Sequence, residues 1–428
     1  MKHRQAQLPQ GWEVKTIGEV CKVIAGESPE GKFYNADRNG LPFYQGKKEY
    51  GVKYIGEPTT WTTKITKEAE ARDILMSVRA PVGPINFATQ KICIGRGLAA
   101  IRASKLIDKE FLYNFLLKHE NEIVGNTGAV FNSINKAQIE AIEIHLPPLP
   151  EQQRIVAILD EVFAAIAKAK ANAEQNLKNA KELFESYLQS IFENKGEGWE
   201  EKSLNEVCEL KPQKKEARDK LMDTDLVSFL PMEDLGVLNK EIIGQRERQL
   251  KDVVGSYTYF ADNDVLLAKI TPCFENGKIG IARNLINGIG FGSSEYIVFR
   301  SKGNIESEFL YYFLSRNQIR DEGKKYMSGA VGHKRVSKDW IENYIIPFPR
   351  TITEQQTIVQ QLNVLSAETK KLQTIYQQKI NDLEELKKSI LQKAFAGELH
   401  SPERAETLND GHRPSTKKST SIKSPERA

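Results

Sequence analysis

The chain repeats itself once, at the scale of a whole domain. Glu151-Gln152-Gln153-Arg154-Ile155 opens a helix-forming stretch that returns in register as Glu354-Gln355-Gln356-Thr357-Ile358, a shift of 203. Ahead of each stretch the likeness continues. Gly11-Trp12-Glu13 through Val20-Cys21 returns as Gly198-Trp199-Glu200 through Val207-Cys208, a shift of 187, and Phe111-Leu112-Tyr113-Asn114-Phe115-Leu116 returns as Phe309-Leu310-Tyr311-Tyr312-Phe313-Leu314, a shift of 198. A period this long excludes a solenoid of short repeats. The unit is a globular block followed by a long helix, used twice. The growing offset places insertions inside the second block, so one frame carries two different middles and presents two different surfaces.

The first block reads as short strands and turns: Leu41-Pro42-Phe43-Tyr44, Asp73 to Val78, Lys91 to Ile94 and Leu98 to Ile101, punctuated by Gly and Pro. A helix is expected around Asp108 to His119, then a strand Ile142 to Leu146. Pro147-Pro148-Leu149-Pro150 favours an extended entry with a helix starting just after it. From Ile155 apolar positions alternate four and three: Ile155, Leu159, Val162, Ile166, Ala169, Ala173, Asn176, Ala180, Leu183 and Tyr187. The second copy gives Ile358, Leu362, Leu365, Thr369, Leu372, Tyr376, Lys379, Leu383, Leu386 and Ile390. A seven-residue pattern of this length in both copies argues for a coiled-coil seam between them. The few residues between Asn194 and Trp199 leave no room for a long return, so the pair is expected to run antiparallel.

The expected fold class is α+β: two tandem mixed α/β domains separated by two long helices in an antiparallel coiled coil, a pseudo-two-fold dumbbell. The boundaries are 1–150 for the first domain, 151–195 for the first spacer helix, 196–352 for the second domain, 353–398 for the second helix and 399–428 for a disordered, Ser/Thr/Lys-rich tail.

No apolar run approaches the roughly 20 residues of a membrane span, and no apolar signal region follows Met1-Lys2-His3-Arg4, so a cytoplasmic chain is expected. Cys21, Cys93, Cys208 and Cys273 have no metal-ligand spacing and read as reduced, buried cysteines. A net charge of +4 does not announce a nucleic-acid binder; positive charge for DNA would have to be local or shared with other subunits.

Two glycine motifs fail as nucleotide sites. Gly26-Glu27-Ser28-Pro29-Glu30-Gly31-Lys32 has phosphate-loop spacing, but Phe33 stands where a metal-binding hydroxyl is needed and two glutamates repel phosphate. Gly95-Arg96-Gly97-Leu98-Ala99-Ala100 resembles a dinucleotide fingerprint, without room for the helix after it. No catalytic set and no metal site is legible. What remains are basic and polar loops at matching places in the two blocks. Candidate DNA contacts are Lys47, Lys48, Arg79, Arg96, Asn132 and Ser133 in the first, and Lys269, Lys278, His333, Lys334 and Arg335 in the second. Arg and Lys reach phosphates and guanine edges, and Asn reads adenine.

Asp73 to Gly83 with Ile94-Gly95-Arg96-Gly97-Leu98, the run Thr271-Pro272-Cys273-Phe274-Glu275-Asn276-Gly277-Lys278, and Leu146 to Val156 together resemble the specificity subunit of type I restriction-modification enzymes over nearly the whole chain. The second helix entry departs from the first at Pro347-Phe348-Pro349-Arg350-Thr351. The resemblance implies two target-recognition domains, each reading one half of a split double-stranded DNA target, with the helix pair as a fixed spacer. It implies a non-catalytic chain that binds no cofactor itself. Two methyltransferase subunits using S-adenosylmethionine would dock on the helices, and restriction subunits using ATP and Mg would join them. Glu151, Gln152, Gln153, Glu354, Gln355 and Gln356 are the candidate docking residues. Two other readings stay open: a coiled-coil scaffold binding two proteins, and a cofactor-dependent enzyme resting on the glycine motifs.

Overall fold

The computed structural model describes residues 9–125, 133–242, 246–330 and 332–399. It divides into two compact units, one of residues 1–171 with 380–428 and one of residues 172–379.

In the first unit, the strand Glu13–Thr16 pairs antiparallel with Glu143–Leu146, which ties the start of the block to its end. A four-stranded sheet follows in the order Cys21–Ala25, Leu98–Ala103, Ile74–Ser77, Ile85–Phe87. Two stretches, 26–73 and 88–97, leave this sheet and build a second one, in which Leu41–Tyr44 runs parallel to Ile92–Ile94. Ile92, Cys93 and Ile94 are all buried, as expected of a strand covered on both faces. The helix Lys109–Gly125 covers the first sheet with Phe111, Leu112, Phe115 and Leu116.

The second unit repeats this frame. Trp199–Ser203 pairs with Ile345–Pro349, and a four-stranded sheet runs Cys208–Glu209, Tyr296–Ser301, Val265–Ala268, Ile279–Ile281, the same order as its counterpart. The excursions differ. The second has four strands, Arg246–Gln249, Leu226–Leu230, Ile289–Gly292 and Thr258–Ala261, where the first has five, all but Leu41–Tyr44 shorter than these. Divergence is therefore concentrated in the second sheet of each block, as the unequal offsets imply.

The frame sheets share an internal brace. Asp73, buried, accepts from Arg102 Nε and Nη2 at 3.0 and 2.7 Å, and Asp264 takes the same bonds from Arg300 at 2.9 and 2.7 Å. Each carboxylate also receives a backbone N–H three residues away, from Glu70 and Ala261. A buried carboxylate is tolerable here because an arginine and a backbone N–H donate to it.

Two long helices complete the units, Leu149–Glu193 and Ile352–Phe395. The first starts at Leu149, before the expected point, with Pro150 inside its opening turn, where a missing N–H costs no hydrogen bond. The second opens on Thr351, whose hydroxyl accepts from Glu354 N at 3.2 Å and donates to the Glu354 carboxylate at 2.8 Å, so its entry is capped by a hydroxyl rather than primed by proline.

Within each unit the helix segments run antiparallel, as expected. In the first, Ile155 and Leu159 share a core with Leu391, Ala394 and Phe395, and Lys170 pairs with Glu384 at 2.7 Å. In the second, Leu188 and Phe192 share a core with Val359 and Leu362, and Tyr187 donates to Gln361 Oε1 at 3.4 Å. The helix end also enters the block. Phe395 packs on Phe111 and Phe115 at 5.1 and 5.6 Å, and Phe192 on Phe309 and Phe313, both at 5.2 Å.

The heptad seam holds over part of its length. Leu159, Ile166, Ala173 and Ala180 are buried at steady seven-residue steps, but Leu183 and Tyr187 are exposed and the buried set moves to Leu188 and Phe192. Leu372 and Leu386 of the second helix are exposed in the same way. A straight helix drifts about 20° per heptad against a 3.5 repeat, so over about five heptads a pattern of sevens slips by about one residue.

Candidate nucleic-acid interface

Backbone hydrogen bonds bring the scattered loop candidates of the first unit to one place. Gly97 N donates to Gln45 O at 3.2 Å, Val78 N to Gly97 O at 3.0 Å and Ile134 N to Val78 O at 3.2 Å, and Arg79 bridges to Ser133. Ser28 holds the cluster's outer edge, donating to Gln45 Oε1 at 2.8 Å and accepting from Arg96 N at 3.1 Å. Lys47, Lys48, Arg79, Arg96 and Ser133 are exposed on this cluster, while Asn132 lies outside the described residues. Gly97 is required here: a Cβ would lie 2.3 Å from Gln45 O. The dinucleotide-like motif is thus a tight turn between strands, and the phosphate-loop-like one ends in a 3-10 turn, Gly31–Phe33.

The second unit builds the same junction from different residues. Lys269 N donates to Glu295 O at 2.9 Å, Thr271 N to Lys334 O at 2.9 Å and Val336 N to Lys269 O at 2.9 Å, and Ile270 bridges to Arg335. Each block has a cis X-Pro bond in this loop, at Ala80-Pro81 and Thr271-Pro272. His333 and Lys334 are exposed. Arg335 is exposed but engaged by Glu295 at 2.6 and 2.9 Å, and that guanidinium holds the Glu295 carboxyl below its usual range. Lys278 is half-buried and donates to Met232 O at 2.7 Å. Among the described residues no His, Cys, Asp and Glu cluster suited to a metal occurs. Burial pushes the Cys21 and Cys208 thiols up to about 12, leaving both unreactive.

The docking candidates need correction. Gln152 and Gln355 are fully buried and offer no surface to a partner. Gln152 accepts from Asp108 N at 2.7 Å and donates to Leu106 O and Pro147 O at 3.1 and 2.8 Å. Gln355 does the same with Glu306 N at 2.7 Å, Asn304 O at 3.0 Å and Pro349 O at 2.9 Å. Each side-chain amide therefore fastens the start of a long helix to the start of the block's own helix. Glu151, Gln153, Glu354 and Gln356 remain at least partly exposed.

A second fastening was not legible in the sequence. Lys240 Nζ donates to Glu308 at 2.8 Å and to Asn363 Oδ1 at 2.9 Å, Asn363 Nδ2 to Glu308 at 2.9 Å, and Arg283 to Glu308 at 2.5 Å. Burial raises the Glu308 pKa, but the hydrogen bonds from Lys240, Asn363 and Arg283 outweigh it and hold the carboxyl at about 2. The first unit has a counterpart in Glu110, paired with Lys53 at 3.0 Å and with Arg72, while Lys53 stands 4.0 Å from Asp160. Lys53 and Lys240 both belong to the divergent excursions, so the variable part of each block is tied to a long helix.

Frame, excursion and helix pairing define a family. The family model for the type I restriction modification DNA specificity domain matches the chain twice, over residues 9–178 and 196–384, and the chain belongs to that family. It is 40% identical over 192 residues to the MjaX specificity subunit of Methanocaldococcus jannaschii, covering 44% of this chain and 45% of that protein. It is 23% identical over 432 residues to the MjaIX type I restriction enzyme specificity subunit of the same organism, covering 92% of this chain and 94% of the relative. The chain spans less than half the length of the relatives it matches at the highest identities. A solved structure from work on assembly and conformational transition of the type I R-M system aligns over 92% of this chain with TM-score 0.73 at 20% identity, a likeness of fold. Among the described residues no helix is long and apolar enough to cross a membrane.

Proposed function

We propose that this chain is the DNA-specificity subunit of a type I restriction-modification complex, a cytoplasmic, non-catalytic protein in which each block reads one half of a split duplex target. The observation that carries this is the pair of equivalent loop junctions, built on one frame but lined by different side chains. Lys47, Lys48, Arg79, Arg96 and Ser133 would face one half-site, and His333 and Lys334 the other; Lys269, Arg335 and Lys278 would first have to leave their present partners, which for Lys269 is Ser294 O at 2.9 Å. The domains are read as 1–150 and 196–352, with the helices as a ruler between them; Leu399, expected in the tail, accepts from Arg154 at 2.9 Å and packs on the first unit's core, and residues 400–428 lie outside the described residues.

Two methyltransferase subunits would dock on the helices, supply S-adenosylmethionine chemistry to a target adenine, and recruit ATP- and Mg-dependent restriction subunits. Support for two identical partners comes from Leu183 and Leu386, equivalent positions under the 203 shift, which are 52% and 46% exposed. They replace the buried glutamines as docking anchors.

Selection from a random duplex pool, with the methyltransferase present, tests the reading. Enrichment of two short motifs at a fixed gap is expected. A single continuous motif, or no enrichment, would refute it.

A further inference from the structure

A cleft of about 810 Å³ opens in the second unit beside Lys269 and Ser294. One wall is the segment Lys211-Pro212-Gln213-Lys214-Lys215, which leads into the short helix Lys215–Lys220, and Lys269 and Lys338 line it as well. Glu342 is the lone carboxylate in the lining among the described residues, and it pairs with Lys338 at 3.2 Å. Lys214 donates to Gly255 O at 2.9 Å, and its pKa is pulled down by burial and by repulsion from Arg218 and Lys211. Lys269 donates to Ser294 O at 2.9 Å, so one carboxylate and two backbone carbonyls face these lysines, and the crowding of cations is at Lys211, Lys214 and Arg218. The first unit does not repeat this: after its strand Cys21–Ala25 come Glu27 and Glu30, and Glu30 pairs with Lys32 at 2.7 Å.

We propose that this cleft holds the sugar-phosphate strand of the bound duplex, making the second block the principal electrostatic anchor of the subunit. The inference rests on the DNA-recognition function above and adds to it an asymmetry between the halves. The near-neutral composition required any positive charge to be local, and here it is local. Lysines suit phosphate as mobile point charges, whereas planar, bidentate reading of bases falls to Arg and Asn. Phosphate contacts set position and carry no sequence information.

The test uses the full chain assembled with its methyltransferase and a duplex carrying the target mapped from adenine methylation in cells. Each phosphate contact contributes a slope of about −0.9 to log affinity against log salt. The triple substitution K211Q/K214Q/K215Q is expected to make the slope shallower by about two to three, with base preference unchanged in both halves, while the triple Lys→Arg variant keeps the slope. K32Q in the first block is expected to leave it unaltered. An unchanged slope in the Gln triple, or an altered base preference in the second half, overturns the proposal. Should that triple fail to fold, K211Q alone must lower the slope by about one, and no change overturns it. A wild-type complex without salt-dependent binding sinks the DNA-recognition function itself, whatever the variants do.

Discussion

Gln355 satisfies three backbone groups from inside the core, and that role makes it a sensitive position. Gln355→Ala removes the partner of a buried carbonyl, Pro349 O, and of two half-buried groups, Glu306 N–H and Asn304 O, with a cost of about 1–3 kcal/mol for a group that solvent cannot reach. A loss of about 3 kcal/mol is expected by urea denaturation, against less than about 0.5 kcal/mol for Gln356→Ala on the exposed face. Glu308 gives a pH signature. Its folded pKa of about 2 lies below the ordinary 4.5, so its contribution is fully present above pH 4.5 and is lost as pH falls toward 2. After allowance for screening this amounts to about 2 kcal/mol. Denaturation from pH 7 to pH 2 should show that drop in the wild type and not in Glu308→Gln, which is destabilised at neutral pH because Lys240 and Arg283 lose their counter-charge. At this scale the sequence was a poor guide. The Glu-Gln-Gln runs were visible, but a polar repeat looks the same whether it faces a partner or is sealed over by prolines and a neighbouring turn. Lys240, Glu308 and Asn363 are too far apart in the chain for any spacing rule to join them.

Elements were more legible. Strand positions, the helix after Asp108 and both long helices followed from apolar periodicity, because burial on one face leaves a period. The seam was misread where it steps: Leu183 continues the heptad on paper but is turned outward, Tyr187 is half-exposed and reaches the other helix only through its hydroxyl on Gln361, and Phe184 and Leu188 pack in their place. The exposed leucines are then expected to serve assembly. Leu183→Asp with Leu386→Asp should leave the melting temperature nearly unchanged and reduce methyltransferase association at least tenfold, read by analytical ultracentrifugation. Unaltered association would dismiss them as docking anchors. Phe395→Ala, in contrast, removes a ring packed on Phe111 and Phe115 and should cost about 3–5 kcal/mol. The first block's core is thus completed by the far end of the chain, and a chain cut before residue 380 should not retain its stability.

At the scale of the molecule, duplication was the most legible feature, and the proposed function follows from it: a shared frame would let both blocks engage one kind of ligand, and divergent excursions would let them read different sequences. The base sequence itself was not legible, since the same side chain serves different bases as loop geometry changes. Independence of the halves can be tested by exchanging the segment from Leu41 to Asn132 for that of a relative, which should change one half-site only. The most direct measurement is adenine methylation mapping in cells whose chain carries one extra heptad in each long helix. Seven residues at 1.5 Å each lengthen the spacer by about 10 Å, close to three base pairs at 3.4 Å. Both half-sites should persist with the gap widened by about three base pairs. Methylation at the original gap would contradict the ruler.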